Sequence, residues 1–366
     1  MPGGANGQPA GWKSSIAASG AGAGVVRHAD LHCHGAQAVG LVTLARILLL
    51  GKRGSLVLWL ENLHRACIGM GHDSRLFAIN GEDWSSRLRA KWNGRRAATA
   101  AWMLERFERT VLEFRPDVVL VAGVFGVPVD YYRLLHAVTP RPCIAGLVGD
   151  RFPSTGREQA EGCDRLYFTD SHFFQAAAQA GFTTPACYLP LAVDPELFVA
   201  APGPRREELL FVASHTAFRE AVVRGLEAPA RVIGTDWRLL RREGFHQVHN
   251  RKIDRGALIA LYQRHRAVLN IRNEANVEHG LNQRSFEALA CGAVVLNDDL
   301  RDLSRCFEPG REILVYRDID ELNSLVARLR REPHWGAHIA AAGRQRVLAE
   351  HSYRHRLRTI LDDMGL

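Results

Sequence analysis

The stretch with the most chemistry in it runs from Val268 to Tyr316. Val268-Leu269-Asn270-Ile271 is a short apolar run suited to a buried strand. A polar loop follows from Arg272 to Gln283, with Gly280 inside it, and then a helical stretch from Asn282 to Cys291. Asn282 suits a helix N-cap, and Gly292 the position just past a helix C-terminus. Ala293 to Leu296 is a second apolar run. Strand, loop, helix, strand leaves no room for a hairpin, so the pattern predicts a parallel crossover unit. The first N–H groups of the helix, those of Gln283, Arg284 and Ser285, lack intrahelical partners and favour an anion such as a phosphate. Arg284 adds a fixed guanidinium fork that suits phosphate oxygens. Glu287 sits about one turn further in, poorly matched to phosphates but well matched to two neighbouring hydroxyls, as on a ribose. An anion site, a cation and then a diol-binding carboxylate make the layout a nucleoside diphosphate needs.

The elements that must hold these residues follow from the rest of the chain. Apolar runs predict strands at Arg46–Leu50, Ser74–Ile79, Asp117–Ala122, Cys143–Val148, Arg165–Phe168 and Ala186–Leu189, with helices between them. Within Asp117–Ala122, Val118-Val119-Leu120-Val121 is a continuous apolar run, typical of a strand buried on both faces of a parallel sheet. Val199 to Glu207, rich in Ala, Pro and Gly, reads as a linker. A second series starts at Leu209–Ala213 and Arg231–Ile233, and continues past the opening stretch to Ile313–Tyr316 and three C-terminal helices. The expected organisation is a disordered lead over 1–38, a first Rossmann-like domain over 39–198, a linker over 199–207 and a second Rossmann-like domain over 208–366, with a final helix able to cross back. Two βα series predict an α/β fold of two doubly wound, Rossmann-like domains. Ligands then belong at the carboxyl ends of strands. That selects Ser214-His215 with Arg219, Thr235-Asp236 and the Arg272–Gln283 loop, and in the first half Gly51–Ser55, Gly123–Gly126 and Gly149-Asp150.

A resemblance to a known family rests on three segments. They are Asn270-Ile271-Arg272, then Arg284-Ser285-Phe286-Glu287-Ala288-Leu289-Ala290-Cys291-Gly292, then Phe307-Glu308-Pro309-Gly310-Arg311-Glu312-Ile313. Together they resemble the C-terminal domain of group 1 glycosyltransferases, most nearly the CgeB-like (spore maturation protein) branch. The resemblance covers roughly 253–353 and is weaker before it. It implies the GT-B architecture, two such domains facing a cleft. It also implies a nucleotide-sugar donor, UDP- or GDP-linked and bound as a substrate rather than a cofactor, with Glu287 on its ribose. The pattern departs at one place: many relatives carry a second Glu eight residues before the first, contacting the sugar, and here that position is His279, beside Glu278.

The remaining assignments are expectations of the same reading. The leaving diphosphate's charge falls to fixed cations and helix N–H groups, without a metal. No Asp-x-Asp spacing stands out as a metal motif. Asp150, at the tip of the fourth strand, is the candidate base for an acceptor hydroxyl, with His172 and His279 in reserve. Asp30-Leu31-His32-Cys33-His34 resembles the opening motif of metal-dependent hydrolases, but the later ligands that such enzymes need are not found, so a solvated His cluster is expected. The basic, Trp-containing stretch Ser85–Phe114 suits a solvated helix face or an anionic membrane surface. The chain of 366 residues, with net charge +8, has room for two domains but carries no nucleic-acid motif. Its seven cysteines, with no Cys-x-x-Cys, point to buried thiols in a reducing cytoplasm. A non-catalytic nucleotide or sugar binder is the competing class, and a metal hydrolase built on His32 and His34 a more distant one.

Overall fold

The computed structural model describes residues 44–53, 58–80, 96–149, 151 and 156–366. Asp150, the His32 and His34 cluster, the expected lead over 1–38 and the basic run 85–95 lie outside the described residues. The described chain divides into two compact units. One runs up to Asp194 and includes Glu274–Gln283 and Glu350–Leu366; the other is Pro195–Asn273 with Arg284–Ala349.

The first unit is a six-stranded parallel sheet in the order β2-β1-β3-β4-β5-β6. Its strands are β1 (Arg46–Gly51), β2 (Asp73–Ala78), β3 (Val118–Ala122), β4 (Cys143–Val148), β5 (Arg165–Phe168) and β6 (Ala186–Tyr188). Alternate residues of the apolar runs face opposite sides, which is why both faces are covered. Leu48, Leu50, Val119 and Val121 pack with Phe107 of α2 (Arg96–Phe114) and with Tyr131 and Tyr132 of α3 (Val129–Ala137). Ile47, Leu49, Val118 and Leu120 pack with Leu60 and Leu63 of α1 (Trp59–Gly69). Two further helices of this unit, α4 (Arg157–Glu161) and α5 (Ser171–Gln179), follow β4 and β5.

The second unit is again six parallel strands, ordered β12-β11-β10-β7-β8-β9. They are β7 (Leu209–Val212), β8 (Ala230–Gly234), β9 (Gln247–Asn250), β10 (Ala267–Asn270), β11 (Val294–Asp298) and β12 (Leu314–Tyr316). Renumbered from its own start this is the doubly wound order 6-5-4-1-2-3, whose switch point lies between β7 and β10. The helices are α6 (Ala217–Arg224), α7 (Arg238–Glu243), α8 (Arg255–Arg264), α9 (Gln283–Ala290), α10 (Leu303–Cys306), α11 (Ile319–Arg331) and α12 (Pro333–Glu350). Residues 199–207, expected as a linker, are tied into this unit: the Arg206 N–H donates to Arg264 O at 2.6 Å and the Arg266 N–H to Arg206 O at 3.0 Å. Asp318-Ile319-Asp320 does have the Asp-x-Asp spacing, and it is the start of α11, where the Asp318 carboxylate accepts the Glu321 N–H at 2.8 Å. The last helix, α13 (Tyr353–Asp363), belongs to the first unit, its Leu357 and Ile360 lying in the core that α1 covers. Among the described residues no helix is long and apolar enough to cross a membrane.

Candidate functional site

Helix α9 is fixed at both ends. At its C-terminus Gly292 has φ +76°, a left-handed value that favours glycine. The Ala293 N–H donates to Ala288 O at 3.0 Å and the Gly292 N–H to Leu289 O at 2.8 Å, the two bonds of a Schellman ending. The last carbonyls also receive cations: Arg205 donates to Cys291 O at 2.6 Å and Arg344 to Ala290 O at 3.2 Å.

At the other end the first turn is welded to two strand ends by three buried side chains. Asn270, at the end of β10, donates through Nδ2 to Ser285 Oγ at 2.8 Å and to Asn297 Oδ1 at 2.7 Å. The Ser285 hydroxyl closes the triangle, donating to Asn297 Oδ1 at 2.9 Å. All three residues are fully buried, so the Ser285 side chain is internal and only its main chain can serve a ligand. Arg284 leans on the same group, its Nε donating to Asn270 Oδ1 at 3.2 Å.

Arg284, Glu287 and Tyr262 form the charged heart of this region. Glu287 is 6% exposed. Desolvation pulls the Arg284 guanidinium below its ordinary pKa, against the charges of Glu287 and Asp298, which hold it up. Burial pushes the Tyr262 phenol well above its usual value, and the Glu287 carboxylate pushes it further. Among the described residues the Tyr262 hydroxyl has no hydrogen-bond partner. A carboxylate, a guanidinium and an unsatisfied hydroxyl thus share a small electrostatic neighbourhood.

At the switch point, Arg219 is 4% exposed and bridges the ends of the two central strands. It donates to Ser214 O at 3.0 Å and to Ile271 O at 3.2 and 3.3 Å. The guanidinium thus donates to main-chain carbonyls at both strand ends. His215 pairs with Glu220, whose carboxyl is held below the usual range, first by that hydrogen bond. Arg272 lies over the Phe218 ring and reaches Asp298 at 3.5 Å. Asp298, absent from the residues expected in the site, stands at the end of β11 and is 5% exposed. Burial raises its carboxyl pKa to about 6, opposed by Arg272. The only sequence signal was a place two residues past an apolar run.

The loop residues His279, Gly280, Asn282 and Gln283 group with the first unit. Asp170, just past β5, organises them. Its Oδ2 accepts the N–H groups of Glu278, His279 and Gly280 at 2.9, 3.0 and 2.9 Å, while its Oδ1 caps α5 by accepting the His172 N–H at 2.8 Å. A Cβ on Gly280 would lie 2.6 Å from Thr169 O, so only glycine allows this approach. His279 Nδ1 lies 3.2 Å from Ser171 Oγ, and its ring meets His172 edge-on at 5.2 Å. Glu278 pairs with Arg151. The Gln283 side chain donates to Ala192 O at 2.8 Å and to Tyr353 Oη at 3.0 Å, a structural use. Asn282 is half-buried at the head of α9. Among the described residues no cluster of His, Cys, Asp and Glu could hold a metal ion.

Residues 206–362 match the family described as "Glycosyl transferase-like". No curated protein matches the chain. Among solved structures, a sucrose-phosphate synthase from Thermosynechococcus elongatus superposes with a TM-score of 0.64 at 12% identity, covering 88% of this chain and 99% of that one. Anabaena Alr3699/HepE in complex with UDP and glucose gives a TM-score of 0.65 at 11% identity, over 88% of this chain and 99% of that chain. A glycosyltransferase from Rickettsia africae gives 0.64 at 11% identity, over 87% and 97%. At such identities the likeness establishes the fold: two parallel-sheet α/β domains of GT-B type.

Proposed function

We propose, from the premise that residues 206–362 are a glycosyl transferase-like domain in a chain of GT-B fold, that this protein moves a sugar from a nucleoside diphosphate donor to an acceptor. The observation that carries the reading is Glu287, a buried carboxylate one turn inside α9 with Arg284 ahead of it. A ribose diol is a ligand that a carboxylate binds without being neutralised, and the Tyr262 hydroxyl, unpartnered among the described residues, adds a polar group in the same neighbourhood. The diphosphate takes the first N–H groups of α9 and the charge of Arg284, supported from behind by Arg219. Charge that grows on the leaving group is met by these groups, already in place, and the reading needs no metal. UDP is the first donor nucleotide to test, since HepE is a structural relative solved with UDP and with UDP-glucose. The first unit takes the acceptor. The CgeB-like branch remains our assignment within the family on the motif Phe286-Glu287-Ala288-Leu289-Ala290-Cys291-Gly292.

Calorimetric titration with UDP tests the donor site. Glu287→Ala is expected to cost about 1.5–3 kcal/mol of a charge-assisted hydrogen bond, roughly 10- to 150-fold in affinity. Unchanged UDP affinity in a folded variant removes Glu287 from the site. Turnover of a UDP-sugar, even slow hydrolysis, separates a transferase from a non-catalytic binder. If Asp150 is the base, Asp150→Asn abolishes transfer and leaves nucleotide affinity in place; retained transfer rules it out.

A further inference from the structure

Away from the proposed donor site, at the amino ends of β7, β10 and β11, the second unit holds a cavity of about 340 Å³. Its floor is Leu209, Ala267 and Val294, the residues that open those strands. Its walls are aliphatic too, with Val326 and Leu329 from α11 and Gly336 and Ala340 from α12. The small residues of α12 leave the space, and the volume sits at the low end of the ~300–1,000 Å³ of small-molecule sites.

The charged lining is mainly cationic. Arg205, Arg266, Arg330 and Arg344 contribute to it, against a single carboxylate, Glu207. Glu207 pairs with Arg266 at 3.1 Å. Arg205, Arg330 and Arg344 have no ion pair among the described residues. Arg205 is held by main-chain oxygens alone, donating to Tyr262 O at 3.2 Å, His265 O at 3.1 Å and Cys291 O at 2.6 Å. Desolvation lowers its pKa, the mark of a cation taken from water without a counter-ion. Arg344 spends Nε on Ala290 O. Guanidinium groups are therefore fixed at the cavity before any ligand arrives, and preorganised cations of this kind are what a carboxylate recognises.

We infer that this cavity is a binding site for a single-chain amphiphilic carboxylate of medium length, its chain among the aliphatic side chains and its head group on the arginines. A sugar phosphate does not fit the lining, because its hydroxyls would meet alanine, valine and leucine and lose their hydrogen bonds. A neutral apolar molecule leaves the arginines without a counter-charge. The cavity lies at the amino ends of the strands, whereas the proposed donor site lies at their carboxyl ends.

The test is displacement of the fluorescent fatty acid cis-parinarate from the full-length protein by octanoate, nonanoate and decanoate below micelle formation. Each added methylene should tighten binding about fourfold until the cavity is filled. Ala337→Phe, at an exposed position of α12, should fill the space and weaken decanoate at least tenfold. Arg330→Glu, also exposed, should weaken decanoate at least tenfold and leave decanol unaffected. Absence of saturable decanoate binding overturns the proposal. So does binding indifferent to both variants, or decanol binding as tightly as decanoate. Circular dichroism confirms that the variants are folded.

Discussion

Two aspartates stand at equivalent places in the two sheets, and their surroundings are opposite. Asp170 follows β5 in the first unit and accepts four main-chain N–H groups, each within 3.0 Å. Asp298 ends β11 in the second unit, and its contacts with Arg272 and Asn297 all measure 3.3 Å or more. A carboxylate that trades water for well-directed N–H donors is a structural pin. One that loses water for long contacts keeps its proton more readily, and burial accordingly moves Asp298 to about 6. Position at the carboxyl edge of a parallel sheet therefore does not decide what an acidic side chain does; the geometry of its donors does.

The contrast can be broken in order of expected effect. Asp170→Ala strands three loop amides and the cap of α5, so urea unfolding should show a loss of about 3–5 kcal/mol. A loss under about 1 kcal/mol would mean that water replaces the carboxylate and the pin is an illusion. Asp298→Asn should separate from the wild type by pH. With the folded value raised above the unfolded 3.8, Asp298's contribution to stability is complete below that value and fades as pH rises through about 6. The variant, compared with the wild type, should therefore gain roughly 1.4 kcal/mol on going from pH 5 to pH 8. Parallel pH profiles for the two proteins would contradict it. The smallest effect belongs to a pair nearer the surface. Glu220 is held low by His215, so that stability is present above its unfolded 4.5 and lost on acidification. His215→Ala should cost no more than about 1 kcal/mol near neutrality, with the difference shrinking in acid.

The same contrast explains what could be read in advance. Cys143–Val148 and Arg165–Phe168 were legible to the residue, because strands covered on both faces are apolar along nearly their whole length. The α9 crossover was legible because its capping glycine and its apolar flanks are local signals. The edge strand β9, with the polar sequence Gln-Val-His-Asn, and the short helices α7 and α10 carry too little periodicity to announce themselves. Asp170 and Asp298 could not be found by pattern. The partners of Asp170 in the loop lie 108 to 110 residues away in sequence, and the burial of Asp298 depends on neighbouring strands. Arg284 and Glu287 came from motif spacing, whereas Tyr262, on a different helix, entered only through packing.

The division of the chain has a practical consequence for anyone cutting this gene in two. Among the described residues the polypeptide passes from one unit to the other four times, after Asp194, Asn273, Gln283 and Ala349. A clone ending near residue 200 would lose α13, which completes an apolar core around α1, and the loop that Asp170 holds. The matching rear fragment would carry both as unpaired, sticky appendages. Neither piece holds the whole of one unit and nothing else, so ligand assignments are best made by point substitution in the intact chain.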